Sequence, residues 1–327
     1  MKVKHLLIVL SVLVFATAGT FVFFYSKKRS PLEQLPVLAA NREIKQMNVM
    51  YSFGNGDGEE YNLRQPLDIA IDDLGQSYVL DNGDATIKIY DPNGKFVKAF
   101  GQEGGQGQKL AAPASLAVSG GLVLVTDPTV GRIQAFDKNG EFVKTLFASP
   151  DDDKYSPVGI AAAGDGHVLF TDVAGHRVVE LDQDGAKVAS FGRPGSKEGQ
   201  FAYPHDLVLD KNKRIYVADS NNGRVQVFDR QGKFLSIIDG TNGGKSRLAL
   251  PRGLTIDAYN HLVVVDTLAN QVRFFELTGE SLFEYGELGS DDGEFSFPNG
   301  VAVDGKKVFV ADRENKRVQV FTAGTTP

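Results

Sequence analysis

Residues Tyr203 to Gly232, YPHDLVLDKNKRIYVADSNNGRVQVFDRQG, decide the architecture, because the chain writes this pattern six times. A proline opens a short alternating strand and a polar turn leads to a second strand ending in Asp. A short loop then leads to Arg and a third strand, and a turn with Gly leads to a fourth. The opening prolines are Pro66, Pro113, Pro157, Pro204, Pro251 and Pro298, spaced 47, 44, 47, 47 and 47 residues apart. The aspartates that end the second strands, Asp81, Asp127, Asp172, Asp219, Asp266 and Asp312, keep nearly the same step. A period near 45 residues holding about four short strands is the signature of a β-propeller blade. The fold class predicted is therefore all-β: a six-bladed β-propeller with four-stranded antiparallel blades.

The two ends of the array explain each other. Asn48 to Gly54, NVMYSFG, resembles the fourth strands FVKAFG at 96–101 and KVASFG at 187–192, yet no first three strands precede it. The sixth repeat stops after RVQVF at 317–321, one strand short. The N-terminal strand is expected to complete the last blade and close the ring, which leaves no sheet edge between first and last blades.

Inner strands show the taper that a propeller needs. Two positions past each proline stand Asp68, Ser115, Gly159, Asp206, Gly253 and Gly300, and four past stand Ala70, Ala117, Ala161, Val208, Thr255 and Ala302. With a side-chain period of two, these mostly small residues share one face while Ile69, Leu116, Ile160, Leu207, Leu254 and Val301 take the other. Tight hairpins between third and fourth strands are marked by Asp91-Pro-Asn-Gly94, Asp137-Lys-Asn-Gly140, Asp182-Gln-Asp-Gly185 and Asp229-Arg-Gln-Gly232. The longer loops lie on the opposite rim.

In 327 residues, an array over 47–322 leaves no room for a second domain. Hydrophobic residues make up 42%, with Gly 36 and Pro 13, which suits many short strands and tight turns. The absence of cysteine excludes disulfides and thiolate chemistry. The first thirty residues hold five of the 35 basic residues and none of the 41 acidic ones, so the rest of the chain stands at −11. That balance repels phosphate backbones, and nucleic acid is not an expected partner.

Residues 6–25, LLIVLSVLVFATAGTFVFFY, carry no charge and are long enough, at 1.5 Å per residue, to cross a hydrocarbon core of roughly 30 Å. Residues 1–29 are read as one N-terminal transmembrane helix, a signal-anchor with basic flanks. Ala16-Thr17-Ala18 also has the form of a signal-peptide cleavage site, but apolar residues continue to Tyr25. Lys2 and Lys4 nearly balance Lys27, Lys28 and Arg29, so charge alone leaves the orientation open. A single large domain behind an N-terminal apolar segment points to a single-pass protein with an extracytoplasmic propeller. Residues 30–46, with Pro31 and Pro36, read as a stalk, and 323–327 as a tail.

The stretches Val217-Ala-Asp-Ser-Asn-Asn-Gly-Arg-Val-Gln-Val-Phe-Asp229 and Val310-Ala-Asp-Arg-Glu-Asn-Lys-Arg-Val-Gln-Val-Phe321 resemble the NHL repeat family. The resemblance implies a six-bladed propeller that usually serves as a binding platform, with a minority of enzymes among its relatives. The repeat arginine is present as Arg132, Arg177, Arg224 and Arg317, and is replaced by Thr86 and Gln271 in blades one and five. Recurrence in blade after blade marks the Asp and Arg columns as scaffold. Each Asp is expected to accept hydrogen bonds from the turn it opens, beside a charge-assisted contact to its Arg.

The residue after each proline does not repeat: Leu67, Ala114, Val158, His205, Arg252 and Asn299. These positions are expected to ring the mouth of the central channel, where specificity belongs. The candidate ligand-binding residues are His205, Asp206, Asp68, Arg252 and Asn299. Pro204-His205-Asp206 is similar to one corner of the zinc site that the resemblance implies for amidating lyases, but zinc catalysis needs about three protein ligands. The matching positions here are Leu, Ala, Val, Arg and Asn, so no catalytic residue and no cofactor is assigned. The acidic loops Asn55 to Glu60, Asp151 to Asp153 and Asp291 to Glu294 lack the spaced ligand pattern of a calcium loop. The expected function is a membrane-anchored, non-catalytic binding or scaffold module for a protein, peptide or glycan. The alternative is an extracytoplasmic lyase or hydrolase using a divalent metal ion, Zn or Ca, with His205, Asp68 and Asp206.

Overall fold

The computed structural model describes residues 44–55, 62–102, 104–105, 108–242 and 245–325. Six four-stranded antiparallel sheets follow one another along the chain. Blade four is typical: Pro204–Leu209, Ile215–Asp219, Arg224–Phe228 and Phe234–Ile238 pair in sequence order. Its Pro204 faces Asp219 at the start of the ladder, where a residue without an N–H does no harm.

Blade six is built from both ends of the array. Its order is Ile44–Phe53, Arg317–Thr325, Lys307–Asp312, Pro298–Asp304, so the N-terminal strand supplies the outer position. Pairing runs from Phe53 opposite Val318 out to Ile44 opposite Thr325. Both strands are thus longer than a shared pattern with the other blades indicates, because each templates the other beyond 47 and 321. Ile44 to Gln46 belong to this strand. The segment read as a membrane span, and the rest of the stalk, lie outside the described residues. Among the described residues no helix is long and apolar enough to cross a membrane.

Six apolar clusters fill the six seams between neighbouring blades. Between blades three and four, Leu169, Val178, Phe201, Leu207, Ile215, Val217 and Phe228 pack together, and between six and one, Phe53, Ile69, Val79, Tyr90, Phe309, Val318 and Val320 do so. Each such fully buried side chain contributes about 1.5–3 kcal/mol, so the ring is held chiefly by blade-to-blade burial.

The Asp column pins a different segment from the one expected. Asp219 Oδ1 accepts the Ala202 N–H at 2.7 Å, from the loop that enters the blade. Asp81 takes Arg64 and Gln65, Asp127 takes Ala111 and Ala112, and Asp266 takes Ala249 and Leu250. Ser156 and Ser296 donate to Asp172 and Asp312. The entry loop lies ahead of a proline and has no ladder partner there, so its buried N–H groups need an acceptor. Turn contacts, such as Gly83 and Ala174 N–H at 3.2 Å, are secondary.

Charge pairing follows the column in blades three, four and six and is displaced in blades one and five. The Nε of Arg177, Arg224 and Arg317 donates to Asp172, Asp219 and Asp312 at 2.8, 2.8 and 2.9 Å. In blade one, where Thr86 takes the arginine position, Lys88 reaches Asp81 at 2.8 Å. In blade five, where Gln271 does, Arg273 lies 3.9 Å from Asp266 and 2.7 Å from Glu284. Two residues along a strand is the same face, so the cation moves one step and keeps its carboxylate.

Candidate functional site

Near the axis the blades touch through backbone. A Cβ on Gly159 would come within 2.5 Å of Asp206 Cα, and one on Gly300 within 2.6 Å of Asp68 Cα. A methyl group at either position would force blades apart, which explains the small residues of the inner strand. Where the column carries Asp, the side chain crosses the seam. Asp68 accepts from Ser115 Oγ at 2.6 Å and Leu116 N–H at 3.0 Å in blade two, and Asp206 accepts from Leu254 N–H at 2.8 Å in blade five. Each also accepts the N–H of its own next residue, Ile69 or Leu207.

These two carboxyls are hard to ionise. Burial pushes Asp68 up to about 6 despite its hydrogen bonds, and burial followed by the charge of Asp68 holds Asp206 well above the usual carboxylate range. Leu67, Asp68, Ala114, Ser115, His205, Asp206, Gly253, Asn299 and Gly300 enclose an open volume of only about 10 Å³. That is about the space of one water. At this level the central channel is filled by the protein's own side chains.

The mouth is divided, and four of its residues, Leu67, Ala114, His205 and Asn299, also wall that small volume. Blades one to three present Leu67, Ala114 and Val158, all apolar. Blades four to six present His205, Arg252 and Asn299. Burial, then Arg252 and Arg313, pushes the His205 imidazole down to about 3, so it is neutral at physiological pH. Burial and then Arg313 also lower Arg252. Three basic side chains thus stand close together, and Arg252 Nε and Asn299 Nδ2 are buried donors without a hydrogen-bond partner among the described residues. Asn299 is only 3% exposed.

Arg313 was not singled out in the sequence, and its column tells why it matters. The residue after the second-strand Asp is Asn82, Ser220 or Thr267 in blades one, four and five, and each donates across the seam to the carbonyl of the next proline, Pro113, Pro251 or Pro298. In blades two and three the preceding threonines do this, Thr126 to Val158 and Thr171 to His205. Blade six carries Arg313 in that column, and it pairs with Glu314 at 2.9 Å and lies over the Phe297 ring at 5.7 Å. Alignment of the six loops, besides the six prolines, would have exposed it.

Two aromatic residues flank the cationic arc. Tyr203 and Phe297, the residues before Pro204 and Pro298, are 55% and 38% exposed and have φ of 54° and 50°. Their N–H groups donate to His176 Nδ1 at 3.0 Å and Asn270 Oδ1 at 2.9 Å. Left-handed backbone on bulky residues is costly, and such strain concentrates where side chains are held for use.

The residues expected at the channel mouth are therefore split. All but Arg252 line one small volume on the axis, where Asp68 and Asp206 also act as struts between blades, and Arg252 stands beside His205. Among the described residues no group of three or more His, Asp or Glu could hold a metal ion. His205 stands without a second imidazole, so the residues present do not fit a catalytic zinc site. The loop Asn55 to Glu60 lies mostly outside the described residues, while Asp153 is engaged by Arg177 at 3.3 Å and Glu294 by the Asp291 N–H at 3.0 Å.

A shallow groove of about 190 Å³ lies on the opposite rim between blades two and three, lined by Leu122, Leu146, Val168 and His167 among others. It has a mainly apolar lining and no buried donor or acceptor left over.

The model of the NHL repeat matches residues 201–228 and 295–321, which carry the first three strands of blades four and six. Over 217 residues the chain is 26% identical to peptidyl-glycine alpha-amidating monooxygenase B of Xenopus laevis, covering 60% of this chain and 24% of that protein. It is 27% identical over 180 residues to human (Homo sapiens) NHL repeat-containing protein 3, covering 50% and 51%. The chain thus spans about half or less of the length of these relatives. Among solved structures, virginiamycin B lyase from Staphylococcus aureus superposes with a TM-score of 0.60 at 18% identity, over 85% of this chain and 99% of that one, a likeness of fold. Repeat, sheet order and relatives agree that the chain is an NHL-repeat β-propeller.

Proposed function

We propose that this protein is a membrane-anchored binding module whose ligand, a protein, peptide or glycan, docks on the channel-mouth face without being chemically altered. The observation that carries the reading is the closed channel beneath a varied rim. With about 10 Å³ free where Asp68, Asp206, His205 and Asn299 meet, a ligand has no way down the axis, whereas Tyr203 and Phe297 are exposed on the rim, with Arg252 half-buried beside them. Exposed aromatic and arginine side chains are the residue types that anchor interfaces. The uncharged segment at 6–25 would hold the propeller at a membrane, outside the cytoplasm, and protease accessibility in intact against lysed cells reads its side.

The test is capture of partners by the full chain, with Tyr203→Ala/Phe297→Ala compared against Val97→Ala/Val188→Ala on outer strands. Partners lost only from the first pair support the face, and partners lost from neither overturn it.

A second reading is a metal-dependent lyase or hydrolase at the channel, drawn from the amidating relative and from His205, Asp68 and Asp206. The donor set argues against it, since both aspartates already accept backbone N–H groups and His205 is alone. A stoichiometric divalent ion in the purified protein, lost in His205→Ala, would restore it.

A further inference from the structure

The cationic half of the mouth has the features of a receptor for a charged group. Arg252 has no carboxylate partner among the described residues, and its Nε is a buried, unpartnered donor. Asn299 Nδ2 is another, on a side chain that lines the mouth. Glu314 engages Arg313 through Nε, which leaves the terminal nitrogens of that guanidinium for a ligand. Like charges held together in a domain that is otherwise strongly acidic need a counter-charge, and an arginine fork is built to meet a planar oxyanion. We propose that His205, Arg252, Asn299 and Arg313 form a binding site for a carboxylate at the mouth, whose apolar end lies over Leu67 and Ala114. This rests on the reading that ligands dock on the channel-mouth face, and it specifies their chemistry.

Two observations select a carboxylate over a phosphate. Asp68, half-buried on the same axis, is raised only to about 6 and is ionised at neutral pH, so a dianion meets more repulsion than a monoanion. Leu67 and Ala114 line the cavity with His205 and Asn299, which suits a group with one charged end and one hydrocarbon end. His205 stays neutral between the arginines and can offer a ring N–H without adding charge.

The experiment titrates full-length protein in detergent with N-acetyl-leucine, N-acetyl-leucinamide, 4-methylpentanoate and inorganic phosphate, read by calorimetry. N-acetyl-leucine is expected to bind, and its amide to bind at least about tenfold more weakly, the value of a hydrogen bond to a charged group. Arg252→Gln and Arg313→Gln are each expected to weaken the acid about tenfold on the same grounds, with unchanged thermal midpoints. Should Arg252→Gln not fold, Arg313→Gln in its loop and the salt dependence of wild-type binding carry the test. Equal binding of 4-methylpentanoate supports the site and assigns it to free acids, and binding of N-acetyl-leucine alone supports it and assigns a chain-terminal carboxylate. Equal binding of acid and amide, displacement by equimolar phosphate, or undiminished binding in both arginine variants overturns the proposal. Absence of acid binding while Tyr203 and Phe297 still govern partner capture overturns the carboxylate site and leaves the docking face standing.

Discussion

Asp68 and Asp206 stand three blades apart on equivalent inner strands, and each carboxylate accepts a backbone N–H of the following blade, from Leu116 at 3.0 Å and from Leu254 at 2.8 Å. Because burial raises both above the usual 3.8, the folded state holds protons that the unfolded chain releases. The contribution of Asp68 to stability is therefore full below about pH 4 and is lost as pH rises through about 6, and Asp206 acts in the same direction. For Asp68 the loss is on the order of 3 kcal/mol. Asp68→Asn is expected to flatten the fall in unfolding midpoint between pH 5 and 8. It also removes the charge that Asp206 feels, so Asp206 should ionise at lower pH, as read by carbon NMR of its carboxyl. An unchanged Asp206 titration would separate the two groups.

The displaced cations make a swap experiment possible. Lys88, 3% exposed, serves Asp81 in the place of the missing arginine. Lys88→Gln leaves that buried carboxylate without its cation and is expected to cost about 3 kcal/mol, within the range for breaking a buried pair. Adding Thr86→Arg recreates the arrangement of Asp219, Arg224 and Gln226 and should recover most of the loss in urea unfolding. Failure of the double variant to gain over the single one would mean that blade one cannot accept the common geometry.

Repeat, blade count and ring closure were all legible in the sequence, because each is a local pattern repeated at one step. What escaped notice depends on neighbouring blades. Asp68 and Asp206 looked like open ligands at a channel mouth, but the seam brings Leu116 and Leu254 N–H to them, residues 48 positions away in each case. Arg313 was passed over because it sits inside a well-formed repeat. Its role emerges only when the seam between blades six and one is compared with those spanned by Asn82, Ser220 and Thr267. Lys88 and Arg273 were hidden by reading a single column, when the strand period of two allows the next position on the same face.

The frame has its own test in blade four. Asp219 is fully buried and accepts from Ala202 N–H, Arg224 Nε, Asn222 Nδ2 and Gln226 Nε2. Asp219→Ala strands all four donors, one of them charged, and is expected to destabilise by about 3–5 kcal/mol in denaturant unfolding. A cost below about 1 kcal/mol, the level of an exposed ion pair, would show that the column is not structural.

The strained aromatics oppose stability to binding. Tyr203 holds φ of 54° directly before a proline, yet half its side chain is in water. Its N–H bond to His176 is made by the backbone, so it survives loss of the ring. Glycine takes left-handed φ without steric penalty, so Tyr203→Gly should keep that bond and gain up to about 1 kcal/mol from relief of strain. The gain is offset in part by the greater freedom of glycine in the unfolded chain. The same substitution removes a large amphipathic surface from the rim and is expected to weaken partner capture. A variant that is no less stable and binds poorly would mark Tyr203 as kept for the ligand. One that unfolds more easily and binds normally would mark the ring, packed edge-on to His176 at 5.0 Å, as a brace for the loop.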